Sequence, residues 1–130
     1  MKREYIRTIQ VFENHFIEFK KTLSGDVLKK MYQVFMLIMT VEIIPAKFLK
    51  PVASVKGLYE IRIEEGSNIF RIFCCFDEGK VIILFNGIQK KTQKTPKDAL
   101  DKAEFLMKKY FELKKEQENE RHKENGPYSD

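Results

Sequence analysis

Three short apolar-alternating runs, divided by two turns, constrain this chain more than anything else in it. From Gly57 to Pro96 it reads GLYEIRIEEGSNIFRIFCCFDEGKVIILFNGIQKKTQKTP. Each run is rich in Ile, Val, Phe and Tyr, residues that fit a pleated, half-buried surface. Gly66-Ser67-Asn68 and Asp77-Glu78-Gly79 separate the runs, a spacing that predicts an antiparallel meander. A lysine cluster and a proline follow the third run.

A meander needs cover, and the flanking segments can supply it. Residues Arg3 to Val11 alternate, with Tyr5, Ile9 and Val11 on one parity, and read as an edge strand. Phe12, Phe16, Phe19 and Leu23 then recur at helical spacing, a phenylalanine stripe that Gly25 ends. Ser24 is placed to cap a second helix with Asp26 in its first turn. Val27, Leu28, Met31, Val34, Phe35, Ile38 and Val41 form its apolar stripe. Met31, Met36 and Met39 read more readily as core than as a partner groove.

Pro45 and Pro51 bracket a linker with room for one helical turn. Thr95-Pro96-Lys97-Asp98 predicts the start of a last helix, Thr as N-cap and Pro at the first helical position. Ala99, Ala103, Leu106, Tyr110 and Leu113 would be its buried stripe. The expected fold class is α+β: an antiparallel sheet of about four strands, packed by an N-terminal helical hairpin and a C-terminal helix. The four strands are the N-terminal edge strand and the meander. One domain spans residues 1–113, and 114–130 is a charged helical extension with a frayed tail. A chain of 130 residues and 15.5 kDa suits a single core.

Composition matters mainly through charge. Hydrophobic residues make up 43% and charged ones 33%, as in a globular domain, and the net charge of +5 favours a polyanionic partner. Cys74 and Cys75 are adjacent on one strand, so they face opposite sides and cannot pair. They read as buried thiols of a reducing compartment. The chain opens without the apolar core of a signal peptide, and its longest apolar run, Val34 to Ile44, is broken by Thr40 and Glu42. The expectation is a soluble, cytoplasmic protein with no membrane contact.

Strand parity locates the chemistry. Tyr59, Ile61 and Ile63 share one face of the first meander strand, so Glu60, Arg62 and Glu64 share the other. With a turn at Glu65 to Asn68, Arg62 pairs with Arg71 and Glu60 sits opposite Phe73. Like charges directly opposite are destabilising, so the pair calls for Glu partners or for a phosphate. The plainer alternative is a solvated face of compensating Glu–Arg pairs. Lys90, Lys91 and Lys94, interleaved with Thr92 and Thr95, lie just before a helix N-terminus, where ammonium groups, hydroxyls and backbone N–H groups suit a phosphodiester. Lysine-rich turns also serve solubility alone.

GLYEIRI, FRIF and KKTQKTP, at these spacings, resemble the phage-derived Gp49-like branch of the RelE/HigB toxin superfamily. The resemblance covers residues 3 to 113. It implies the toxin of a type II toxin–antitoxin system: an endoribonuclease that uses neither metal nor other cofactor and cuts mRNA on the ribosome. The RNA 2′-hydroxyl attacks the adjacent phosphate. It implies a cognate helix-turn-helix antitoxin, with assembly as a homodimer or a toxin–antitoxin hetero-oligomer. Carried over by position, Arg62 and Arg71 bind the scissile phosphate, and Glu60 is a general base or an arginine-orienting partner. Lys91 supplies transition-state charge, while Lys90, Lys94, Thr92 and Thr95 hold RNA. The family's usual Tyr or His near the C-terminal end has no clear counterpart, because His15, His122 and Tyr110 all read as lying elsewhere. The alternatives are a non-catalytic RNA- or ribosome-binding module and a basic protein-interaction domain on the same scaffold.

Overall fold

A computed structural model describes residues 4–91 and 95–124. The elements run β1 (Thr8–Val11), α1 (His15–Lys20), α2 (Gly25–Thr40), β2 (Leu49–Pro51), β3 (Leu58–Glu65), β4 (Asn68–Asp77), β5 (Val81–Lys90) and α3 (Lys97–Glu124). The α+β layout is as expected, and three strands form the anticipated meander.

The β3–β4 hairpin closes through a two-residue loop, with Glu65 opposite Asn68 and Gly66 at φ +59°. A positive φ at that position is what such a loop demands and what glycine supplies without strain. The turn fixes the register, so Arg62 pairs with Arg71 and Glu60 with Phe73. Parity then sorts the side chains into two cores. Ile61, Ile63, Phe70, Ile72, Cys74, Ile82 and Leu84 pack under α1 and α2. Leu58, Phe73, Cys75, Ile83 and Phe85 pack under Ala103, Leu106 and Met107 of α3. The two cysteines do face opposite sides; burial raises both thiols, that of Cys75 to about 12.

The sheet differs from expectation in two ways. It has five strands in the order β1-β5-β4-β3-β2. It is also mixed, because β1 lies parallel to β5, Thr8 against Val81. An edge strand far in sequence from its partner is placed by packing, not by a local turn. The linker between prolines contains β2, which pairs antiparallel with β3 and sets Lys50 beside Glu60. Pro51 is tolerated there because β2 is an edge strand with no ladder bond to donate outward.

Smaller corrections follow from the helices. Phe12 precedes α1 and packs on the α3 side, edge-on to Phe85 and Tyr110, instead of joining the Phe16 stripe. The first strand begins only at Thr8. Gly25 opens α2 instead of closing α1, and the Ser24 hydroxyl accepts the N–H of Val27 as its cap. Pro96 lies just before α3, its carbonyl accepting the N–H of Leu100, so Thr95 is one residue too early to be the cap. Leu113 is 38% exposed, beyond the buried part of the helix. No helix among the described residues is long and apolar enough to cross a membrane.

A bulge shapes the third meander strand. Ile72 pairs with Gly87 and Cys74 with Leu84, so Phe85 and Asn86 together oppose Phe73. Beyond the bulge, Gly87 turns its bare Cα towards α1; a Cβ there would run into the ring of Phe19. Ile88 and Lys90 return to the face that carries Arg71.

Candidate phosphate-binding face

Helix α3 covers only one end of its sheet face. At the other end Glu60, Arg62, Arg71 and Lys90 share that face, delivered by three adjacent strands. The side chain of Arg71 is nearly buried, 7% exposed overall, and so is that of Glu60 at 5%. Arg71 Nη1 donates to both carboxylate oxygens, at 2.6 and 2.8 Å. Breaking such a buried pair would leave an uncompensated charge, so each partner holds the other in place.

Arg62 takes its own acid. Its Nε donates to Glu64 Oε1 at 2.8 Å, and Nη2 lies 2.7 Å from the same oxygen. Two like charges in register are therefore tolerated because each has a separate carboxylate. Lys50 Nζ stands 3.9 Å from Glu60 Oε1, across the β2–β3 pairing. Lys50 was missed in the sequence, where a three-residue strand between prolines shows no alternation.

Lys90 titrates below its ordinary value. Burial is the largest cause, followed by the positive charges of Arg71 and Arg62, with Lys50 adding to them and Glu60 opposing. Lys91 is exposed, one residue past the end of β5, and Thr95 is half-buried before α3. Thr92 and Lys94 lie outside the described residues. Among the described members of the lysine cluster, Lys90 is the one on the strand face that carries the arginine pair.

Among the described residues, two buried polar atoms have no partner: Arg71 Nε and Asn86 Oδ1. An unpartnered buried donor costs about 1–3 kcal/mol, which marks a position where something other than stability is being served. Asn86 sits in the β5 bulge and donates through Nδ2 to Ala99 O at 3.0 Å, tying the site to the start of α3. An Asn inside the run VIILFNGI was its signal, but parity alone could not place it, since the bulge resets the alternation.

The residues with better proton-transfer credentials are elsewhere. Tyr110 donates to Asp77 Oδ2 at 2.5 Å and is held well above its usual range by burial and that carboxylate. Asp77 is six residues from Arg71 along β4, about 20 Å at the rise of an extended strand. His15 bonds Glu13 at 3.0 Å at the start of α1, and His122 is on the distal part of α3. Lys50, Arg62, Arg71 and Lys90 face two carboxylates. The face is cationic, anchored on one buried pair, and suited to an anion with several oxygens.

Residues 3–108 match the family described as "Phage derived protein Gp49-like". The chain belongs to that family. It is a family of RelE/HigB-type toxins, which makes this Gp49-like chain a toxin-antitoxin toxin. Among solved structures, the chain is similar to the archaeal RelE–RelB complex from Pyrococcus horikoshii OT3. Identity is 15% and the TM-score 0.43, over 63% of this chain and 92% of that one. The sequence matches no curated protein.

Proposed function

We propose that this Gp49-like toxin is an endoribonuclease that cleaves mRNA on the ribosome through 2′-hydroxyl attack on the adjacent phosphate. The observation that carries the reading is the Arg62–Arg71 pair, held in register on the sheet face beside the buried Glu60, with the buried Arg71 Nε unpartnered. Transesterification of RNA needs a group to take the 2′-hydroxyl proton, charge to stabilise the phosphorane, and a proton for the leaving 5′-oxygen.

Arg71 and Arg62 supply the charge. A guanidinium offers several donors in a fixed plane, matched to phosphate oxygens, and Glu60 orients the buried one. Lys90 is the proton acceptor of this scheme. An ordinary lysine is protonated at neutral pH and cannot act as a base, but the arginines beside Lys90 and its partial burial lower its pKa. Lys50 and Lys91 border the same face and hold the chain, together with Lys94, Thr92 and Thr95. Protonation of the leaving oxygen falls to a lysine of the face or to water, since no His or Tyr stands there among the described residues and an arginine keeps its proton. The activity is held in check by a cognate antitoxin in the same cytoplasm.

Expression from an inducible promoter should arrest growth, and primer extension on translating ribosomes should show cuts leaving a 5′-hydroxyl. Arg71→Ala should relieve the arrest and lower cleavage by about a thousandfold. Growth arrest with intact mRNA would instead favour a non-catalytic RNA- or ribosome-binding module on the same face. Salt-sensitive binding to ribosomes would distinguish that module from a basic protein-interaction domain.

A further inference from the structure

A second cationic feature lies round the edge of β3, outside the face just described. The β2–β3 pairing ends at Ile61, and past it, among the described residues, β3 has no strand on its outer side; the N–H of Arg62 bonds the carbonyl of Phe48 instead. A cavity of about 170 Å³ opens there, lined by Lys30, Lys47, Phe48, Arg62, Glu64 and Gly66. Its cations come from three separate elements: Lys30 from the second turn of α2, Lys47 from the segment before β2, and Arg62 from β3.

Three cations share a single carboxylate. Glu64 is bound to Arg62, and among the described residues neither Lys30 nor Lys47 has an acidic partner within ion-pair distance. Lys30 is half-buried, whereas a lysine kept only for solubility is free to extend into water. Lys47 is steadied over the Phe48 ring, its Nζ 5.5 Å from the centroid. Repulsion among three cations that line one small cavity is worth tolerating where an anion neutralises them. The space accommodates a phosphate group, not a folded protein segment.

We propose that this cavity is a second phosphate site, taking an RNA phosphodiester close to the scissile one, with Arg62 shared between the two. The proposal rests on the RNA-cleaving reading for its ligand class. Because Arg62 faces Arg71 across the β3–β4 pair and also lines the cavity, an RNA backbone held at Arg71 leads over Arg62 to Lys30 and Lys47. These two lysines contribute affinity and register, not chemistry. The phosphodiester is supplied by the mRNA being cut or by ribosomal RNA beside it.

The test uses Lys30→Ala, Lys47→Ala and the double variant in the full-length chain. Neither lysine neutralises a buried acid, so the variants should melt like wild type. Cleavage on translating ribosomes should show KM raised about tenfold in the double variant with kcat within about threefold, the signature of lost uniform binding. Binding to a 2′-O-methyl oligoribonucleotide and to mRNA-programmed ribosomes should be measured against salt. Each lost lysine should shrink the log–log slope by about 0.7 for single-stranded RNA. Lys30→Arg and Lys47→Arg should restore it. A slope change with the free oligonucleotide assigns the site to mRNA; a change with ribosomes alone assigns it to ribosomal RNA. Unchanged KM and slopes in both assays overturn the proposal. A wild type that cuts nothing, while the double variant still loses slope, overturns the nuclease reading and leaves this site standing.

Discussion

The α3-side face of the sheet carries a buried acid at each end, and the two are used differently. At the end of β4, Asp77 Oδ2 accepts from Tyr110 and Oδ1 from Lys114, both at 2.5 Å. Both donors come from α3, and Phe12 and Val81 close in around them. At the other end, Glu60 is held by Arg71 from the neighbouring strand, with Lys50 nearby and Arg71 Nε unpartnered. The first cluster satisfies itself and fastens the helix to the sheet. The second has more cations than acids and a donor left over. A buried ion pair alone therefore does not mark a site; surplus charge of one sign beside an unpartnered buried donor does.

The sharpest way to break that comparison is Arg71→Met. Loss of the central cation should lower cleavage by about a thousandfold, the scale of removing a preorganised transition-state donor. It should also cost about 3–5 kcal/mol of stability, because Glu60 is left buried and charged. Glu60→Gln together with Arg71→Met should recover most of that stability in a denaturant melt and none of the activity. A double variant that still cuts RNA would show the Glu60 end to be as purely structural as the Asp77 end.

The next largest effect belongs to Lys90. As the base it works unprotonated, so kcat/KM should rise with pH through its pKa, which lies below the ordinary 10.5. Lys90→Met should remove that rising limb and lower the rate by about a hundredfold. Arg71→Lys keeps a positive charge and should leave the limb near its wild-type position. A neutral residue at 71 should move the limb to higher pH, because one of the charges that depress Lys90 has gone. A pH–rate profile unmoved by Lys90→Met and by a neutral residue at 71 would remove Lys90 from the chemistry and leave it as a binding residue.

How much of this was readable in advance depended on how local the determinant was. The Arg62–Arg71 register followed from one short turn with a glycine that could take positive φ, so parity carried from strand to strand. The split of Cys74 and Cys75 between two cores and the Ser24 cap were local in the same sense. What escaped was set over long separations. The parallel pairing of β1 with β5 joins residues some seventy apart, and β2 is too short to show a period. The bulge at Phe85 and Asn86 breaks the alternation from which parity is counted. Lys30 lies on a helix whose core face was legible, but its nearness to Arg62 comes from how α2 crosses the sheet. The anchored half of the site was thus legible as a pattern, and its rim only as packing.

At the Asp77 end the expected effect is smaller and confined to stability. Burial pushes the Asp77 carboxyl up, but the hydrogen bonds from Lys114 and Tyr110 outweigh it and hold the pKa below the ordinary 3.8. A depressed folded pKa means that the contribution is present above the unfolded-state value. It is lost as pH falls through the lower folded one. Asp77→Asn should therefore cost about 1–2 kcal/mol near pH 7, where the charged acceptor matters. The cost should shrink towards zero at the acid end of that window, where wild-type Asp77 is itself protonated. Thermal melts at pH 7 and in strong acid read both values, and cleavage at pH 7 should match wild type. Loss of cleavage with the melting temperature kept would mean that the latch on α3 reaches the phosphate face through Asn86 and Ala99, and the two ends would then be one device.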